Sequence, residues 1–407
     1  MSGCAKLPFF DKGSFIPISY KALFEFAYKI VSSEANEGYK KQYIRNLQEK
    51  NNSKANYYYK QLSEDGQACY DFVVDGCKNY KSEISIMPIE EDEFYKAQSA
   101  VMYDHPEFFW ITPFKINKSD GIVNTVYFEV PDDAEETSKK IDKIAKEVVA
   151  ESPNQVYDEV KYFYDYIIDN VEYGNVENLD QDIRSVFLKH KSVCAGYSKA
   201  FKYLCDKAGL ECAYIQGRAT QSDEAHAWNA VKINNHWYWV DCTWGDPIYL
   251  SEPKTSSTNY EYLLASDEIL NETHKASGTP SFAVHKSDDE VFKMPVCDDN
   301  SYYYYSRMGS YFRSYDEKAI EEHIAKCVRD NTKITMKFKH QKDYDKAFKH
   351  FIEDKEVENI LHKYYKNKKL RYYITHSKSI RALEIKIEFS RKESLNPTRF
   401  SCGMDAF

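Results

Sequence analysis

Glycine and proline are both scarce in this chain, at 14 and 12 of 407 residues. Against usual shares of about 7% and 5%, that leaves little material for flexible or proline-rich linkers and excludes collagen-like repeats. Ten cysteines are too few for a disulfide scaffold of this length, and none form a C-x-x-C pair or another zinc-site spacing. Most of them read as small buried apolar residues. No run approaches the roughly 18 apolar residues of a membrane span. Positive charge is not in excess: 55 Lys and Arg against 64 Asp and Glu give a net charge of -9, which provides no basic field to hold nucleic acid. The motifs G-x-x-x-x-G-K-[ST], G-x-S-x-G, H-E-x-x-H and the EF-hand loop are all missing. Nucleotide hydrolysis, serine acyl transfer and zinc proteolysis therefore lack their usual signatures, and no cofactor or metal is implied.

What the chain does have is aromatic mass. Aromatics reach 15%, with 35 tyrosines, and hydrophobic residues 43%, a composition for packed cores rather than disorder. At about 150 residues per domain the length suggests two to three domains. The start lacks the basic and apolar regions of a signal peptide and reads as cytoplasmic. The opening Met1-Ser-Gly-Cys4 nevertheless matches the end of a bacterial lipoprotein cleavage site. A gene start placed too late would make Cys4 the anchor of a secreted or cell-surface protein.

Periodicity divides the chain into three expected domains. Residues 1–130 read as mainly helical with some strands: apolar stripes mark helices at Pro17 to Val31 and Glu64 to Tyr80, and strands are expected at Ser82 to Met87 and Gly121 to Val130, with a helix opening in the acidic run Glu90 to Glu93. Residues 131–290 start with two amphipathic helices, carrying Ile141, Ile144, Ala145 and Val148, then Val156, Val160, Tyr164 and Ile167. Ser152 and Pro153 are the expected cap and first turn of the second. A third helix is expected from Cys194 to Ala208 with Gly209 as its stop, and strands at Cys212 to Ala219, Ala225 to Ile233 and His236 to Thr243. Residues 291–407 read as a small α+β unit, with strands at Tyr302 to Tyr305, Lys333 to Phe338 and Leu383 to Phe389 and helices at Glu317 to Val328 and Asp343 to Lys366.

Three residues in the central segment stand where they would be reactive. Cys194 opens a helix, whose free N–H groups and positive dipole end stabilise a thiolate. If Asn234-Asn235 is a two-residue turn, Ile233 faces His236, Trp228 faces Asp241 and His226 faces Thr243. His226 and Asp241 then become diagonal neighbours on one face, at about 7 to 8 Å between backbone positions, within reach of an imidazole and a carboxylate. A Cys-His-Asp set of this kind lets the histidine take the thiol proton, the aspartate fix its tautomer, and the thiolate attack an amide carbonyl to give a thioester. The Cys194 N–H is one oxyanion donor, with Tyr173 and Gln181 as candidates for the second.

At these residues the chain resembles the transglutaminase-like superfamily of papain-like cysteine enzymes, in its bacterial branch. The strings are Ser192-Val-Cys194-Ala-Gly-Tyr-Ser-Lys-Ala-Phe201, His226-Ala-Trp-Asn229 and Trp237-Tyr-Trp-Val-Asp241-Cys-Thr-Trp-Gly-Asp-Pro247. Tyr166 to Tyr173 is similar to the helix that opens such domains, and Asp104-His-Pro-Glu-Phe-Phe-Trp110 resembles a segment upstream of some clostridial members. The resemblance implies an α+β core in which the cysteine-bearing helix packs on an antiparallel sheet, with Cys194 as nucleophile, His226 as base and Asp241 as orienter. Cys242 departs from the pattern, where an apolar residue is usual, and a buried cysteine fills that place.

Four of the five tryptophans, Trp228, Trp237, Trp239 and Trp244, cluster around the hairpin. They suit core packing, or the walls of a cleft that keeps water out. The Lys, Arg and Tyr mixture of His362 to Lys378 reads as a helix-strand junction with a solvated face. The expected function is thiol-dependent acyl transfer or hydrolysis on a protein or peptide amide. The alternative is a non-catalytic protein-binding module that keeps the same fold.

Overall fold

In the computed structural model, residues 37–365 and 370–389 are described, apart from 180, 247–257 and 281–290. Cys4 and the helix expected at Pro17 to Val31 lie outside the described residues. The first described element is helix α1 (Glu37–Asn51), followed by α2 (Glu64–Lys78), β1 (Glu83–Glu90), α3 (Glu91–Asp104), β2 (Phe114–Ser119) and β3 (Ile122–Phe128). Ser63 caps α2 by accepting the Gly66 N–H at 3.1 Å. The three strands form an antiparallel sheet in the order β1-β3-β2. β2 is an edge strand whose sequence, Phe114-Lys-Ile-Asn-Lys-Ser119, is mostly exposed, so its hydrophobic alternation is too weak to read from sequence.

The central segment runs α4 (Ala134–Glu151), α5 (Val156–Asn170), β4 (Glu172–Tyr173), α6 (Ile183–Lys189), β5 (Lys191–Ser192), α7 (Cys194–Ala208), β6 (Cys212–Ala219), β7 (Ala225–Ile233), β8 (His236–Val240), α8 (Cys242–Gly245), β9 (Leu263–Ala265), α9 (Asp267–Leu270) and β10 (His274–Ala276). β6 to β10 form one antiparallel sheet in the order β10-β6-β7-β8-β9. Its two edge strands curl toward each other, because His274 on β10 and Tyr262, immediately before β9, lie 5.6 Å apart ring to ring. The polar network described below includes His274 on one of these edges.

The last segment contains α10 (Tyr304–Arg307), β11 (Tyr311–Phe312), α11 (Glu317–Asp330), β12 (Ile334–Phe338), α12 (Gln341–Ala347), α13 (Glu356–Tyr364), β13 (Leu370–Ser377) and β14 (Ala382–Phe389). Its sheet has the order β11-β12-β14-β13. A second hydrophobic core, running from Ile320 to Ile385, belongs to this unit alone. Buried residues from Tyr58 to Tyr305, with Ala382, make one continuous core that joins the first two segments and the opening of the last.

Four sequence expectations are corrected. Ser152 does not cap α5: it ends α4, its hydroxyl donating to the Val149 carbonyl at 2.7 Å. Tyr302 to Tyr305 is no strand; it leads into α10, where burial of Tyr303, Tyr304 and Tyr305 on several sides overrides their β preference. The helix expected over Asp343 to Lys366 breaks into α12, a π-helical stretch (Phe348–Glu353) and α13, with Lys355 left-handed at φ 65° between them. The strand from His236 stops at Val240, and Cys242 to Gly245 is helical rather than extended.

Candidate active site

The hairpin between β7 and β8 has the register that two turn residues require. Asn234 and Asn235 take φ values of 49° and 70°, the left-handed pair that asparagine tolerates in a tight turn. The ladder runs from Ile233 opposite His236 to Asn229 opposite Val240, so the next step brings Trp228 level with Asp241. There the strand ends. Asp241 caps α8 instead, its Oδ1 accepting the Thr243 N–H at 2.8 Å and the Trp244 N–H at 3.2 Å. Thr243 therefore does not face His226 in a ladder.

Helix α7 is held to β7 by polar residues whose role the sequence did not reveal. The Ser198 hydroxyl lies 2.8 Å from the carbonyls of both Cys194 and Ala227, and the Asn229 side-chain amide donates to the Ser198 carbonyl at 2.9 Å. These contacts fix the first turn of α7 against the start of β7 and so bring Cys194 to His226. Nearby, the Tyr197 hydroxyl lies 2.9 Å from both the Val171 carbonyl and Asp246. Gly245 makes room for Tyr164: a Cβ there would lie 1.9 Å from the Tyr164 hydroxyl oxygen.

Cys194 is half-buried, whereas the other seven described cysteines are buried. Burial pushes the thiols of Cys69, Cys77, Cys205, Cys242, Cys297 and Cys327 upward, away from the reactive thiolate. The Cys194 side chain lies close enough to His226 to help raise its imidazole. His226 Nε2 lies 2.8 Å from Asp241 Oδ2, which leaves Nδ1 for the thiol. Burial works against a charge on His226, but the Asp241 carboxylate and the nearby Cys194 outweigh it and push the imidazole up to about 10. Burial likewise opposes the charge on Asp241; the positive His226 and the two imidazole hydrogen bonds prevail and hold its carboxyl below the usual carboxylate range. At neutral pH the ionised carboxylate only accepts, so each nitrogen bonded to it carries a proton.

A residue absent from the sequence reading completes the group. His274 Nε2 lies 3.0 Å from the same Asp241 Oδ2, and its Nδ1 is 2.8 Å from the Thr273 hydroxyl. No local pattern marks His274; only the curl of the sheet brings β10 to Asp241. The nearest ligand atoms of His226, Asp241 and His274 lie within 4.8 Å of one another, a spacing that could admit a metal ion. As arranged, however, both Nε2 protons point at the carboxylate, which makes the trio a closed hydrogen-bond network rather than a set of free ligands.

The remaining candidate residues fall into different places. Trp228 is fully buried and its ring stacks on His226 at 5.7 Å. Trp244, partly exposed, lies 5.6 Å from His226 and 4.5 Å from His274. Trp239 donates its indole N–H to Asp267 at 2.8 Å, and Trp237 packs edge-on to Tyr57 at 5.1 Å, both farther along the sheet. Tyr173 is 37% exposed; burial, then the nearby Cys194 and Asp241, raise its phenol, so its hydroxyl stays protonated and able to donate. Gln181 is exposed, and its main-chain carbonyl accepts from Lys199 at 2.9 Å. Among the described residues no hydrogen bond joins its side chain to Cys194, His226 or Asp241.

Residues 142–242 match the model of the transglutaminase-like superfamily, and this central segment is a transglutaminase-like domain. The chain is 24% identical over 151 residues to kyphoscoliosis peptidase of Homo sapiens, covering 33% of this chain and 23% of that protein. It is 27% identical over 133 residues to the Mus musculus protein of the same name, covering 29% and 19%. The matched part thus spans less than a quarter of either relative. Among solved structures, it is similar to a TGase at 18% identity and a TM-score of 0.23, covering 35% of this chain and 47% of that one.

Proposed function

We propose that this protein cleaves or transfers a protein or peptide amide through a Cys194 thioester. The observation that carries the proposal is one chain of neighbours: the half-buried Cys194 at the start of α7 lies beside His226, and His226 is bonded at 2.8 Å to an ionised, fully buried Asp241. With the imidazole pushed up to about 10, His226 is an imidazolium at neutral pH, and its charge and the free N–H groups at the start of α7 favour the thiolate as the attacking form. The Cys194 sulfur attacks the amide carbonyl carbon and forms a tetrahedral oxyanion. The Cys194 N–H, first in its helix and without an intrahelical acceptor, donates to that oxygen. The Tyr173 hydroxyl is the second donor this reading favours.

Collapse of the intermediate breaks the carbon–nitrogen bond, and His226 gives its proton to the departing amine. His226, now neutral with Nδ1 free, then takes a proton from the second nucleophile as it attacks the thioester carbonyl, which releases the Cys194 thiolate. Water at that step gives hydrolysis and a primary amine gives transfer. The relatives are named peptidases, which favours water.

The test is to offer a labelled primary amine together with a varied protein mixture to wild type and to Cys194→Ala. New peptide fragments that disappear with the mutation establish hydrolysis, and incorporated label that disappears establishes transfer. Identical output from the two proteins refutes the proposal.

A further inference from the structure

The carboxylate that orients His226 also binds a second imidazole, from a strand that lies beyond the family match. We propose that His274 is a positioning residue of the triad. It bonds the same Asp241 Oδ2 as His226 and so fixes the carboxylate with one lone pair of that oxygen left for His226 Nε2. The inference rests on the function proposed above.

Four donors surround the Asp241 carboxylate. Thr243 N–H and Trp244 N–H take Oδ1 at 2.8 and 3.2 Å, while His226 Nε2 and His274 Nε2 take Oδ2 at 2.8 and 3.0 Å. A carboxylate has about four lone-pair sites, so Asp241 is saturated and no other orientation of the group satisfies all four donors. Without His274, Oδ2 would keep a single partner and His226 could swing with it.

His274 is itself held firmly. Its side chain is fully buried, and its ring lies 4.5 Å from Trp244, 4.9 Å from Trp228, 5.2 Å from His226 and 5.6 Å from Tyr262. It therefore backs His226 sterically as well as through the carboxylate. Burial, with the positive His226 beside it, lowers its pKa despite the Asp241 contact, so His274 is the neutral imidazole of the pair. Its Nε2 proton points at Asp241, and its Nδ1 lies 2.8 Å from the Thr273 hydroxyl, which is also 3.2 Å from the Leu270 carbonyl. Asp241 and His226 then form one carboxylate–imidazolium pair, with the neutral His274 beside it.

Other titratable groups face this network from every packed element. Cys194 comes from α7, Cys242 from α8, Tyr164 from α5, Tyr173 from β4 and Tyr262 from the segment before β9, while Asp165, Asp246 and Glu224 add negative charge around them. Burial raises Cys242, Tyr164, Tyr173 and Tyr262, which keeps all four neutral through the neutral range. His274 touches none of the atoms that would meet substrate. It acts through Asp241 and through its packing beside His226.

The test follows alkylation of Cys194 by iodoacetamide against pH, by mass spectrometry, in the full-length protein. Each profile is normalised to its own high-pH plateau. The variants are His274→Leu, which keeps bulk and removes the donor, His274→Gln, which restores an N–H, and Thr273→Val, which frees His274 to take the other tautomer. Leu is expected to move the midpoint upward by about one unit, a roughly tenfold loss of normalised rate at a pH below it. Gln should recover most of that loss, and Val should fall between. A lost donor acting by electrostatics alone would make Asp241 more basic and leave the thiolate more stable, so an unchanged or lowered midpoint in Leu overturns the proposal. If Leu fails to fold, Thr273→Val and Gln decide in the same way. A wild-type midpoint near 8.5, that of a free thiol, would overturn the triad reading and this one with it. An acidic wild-type midpoint that Leu leaves in place overturns this one alone.

Discussion

Replacing Lys337 by methionine should destabilise the fold by about 3–5 kcal/mol, the usual result of leaving one partner of a buried ion pair alone. Lys337, on β12, is fully buried and its ammonium lies 2.6 Å from Glu261, which is 5% exposed. The same ammonium also donates to the Ile380 carbonyl, and the Tyr303 hydroxyl donates to the other Glu261 oxygen at 2.8 Å. Methionine fills much of the lysine's volume, so packing changes little and the loss is electrostatic. It leaves the Glu261 carboxylate buried with one neutral donor. Burial already raises the Glu261 carboxyl above its ordinary value even with Lys337 in place. Without Lys337 it rises further, and the folded protein takes up a proton that the unfolded chain releases near its ordinary value. The penalty is therefore smaller at pH 5 and grows as the pH rises through neutrality. Urea unfolding at both pH values measures this. Tryptophan fluorescence follows the first two segments, since every tryptophan lies at or before Trp244, while circular dichroism follows the whole. The double variant Lys337→Met with Glu261→Leu should recover most of the loss. A single-variant cost under about 1 kcal/mol, or a cost independent of pH, would refute the reasoning.

Two further substitutions probe the site. Asp241→Asn keeps an acceptor for the Thr243 and Trp244 N–H groups but turns an NH2 toward two imidazole N–H donors, forcing the wrong His226 tautomer. Turnover should fall by a factor on the order of 10⁴, as such a swap does in serine proteases, measured on whichever amide substrate the labelling experiment identifies. The same variant should flatten the pH dependence of stability. Because His226 is raised from 6.5 to about 10 on folding, its contribution is complete below 6.5 and is lost as pH rises toward 10, so wild type should weaken over that window and Asp241→Asn should not. Gly245→Ala should cost about 1–3 kcal/mol or more, because its methyl would lie 1.9 Å from the Tyr164 hydroxyl that donates to Asn259. A urea midpoint unchanged from wild type would show that α8 moves away freely.

The parts of the site that lie in local sequence were legible. Cys194 and Gly209 mark both ends of α7, because a helix start and a left-handed stop are local features. Two asparagines set the hairpin register, and the register places His226 and Asp241 on one face. The residues that tie these pieces together were not legible. Ser198 and Asn229 stand within the motif strings, yet their contacts depend on how α7 lies across β7. His274 depends on a sheet that curls until its edge strands meet, which no window of sequence encodes. The same limit explains Tyr303 to Tyr305, whose β preference yields to burial against Tyr260 and Glu261, and the missed edge strand β2, too exposed to alternate. Gln181 was placed near the thiol by its position upstream alone, and it is Tyr173 that lies within electrostatic reach of Cys194.

The central claim is that His226 activates the Cys194 thiol. The most direct measurement is the rate of iodoacetamide alkylation at Cys194 in the wild-type protein from pH 4 to pH 10, with the buried cysteines as internal controls. The account predicts that Cys194 reacts faster near neutral pH than a free thiol of pKa about 8.5, and that His226→Ala removes the difference. A wild-type midpoint at or above 8.5, unmoved by His226→Ala, would contradict it.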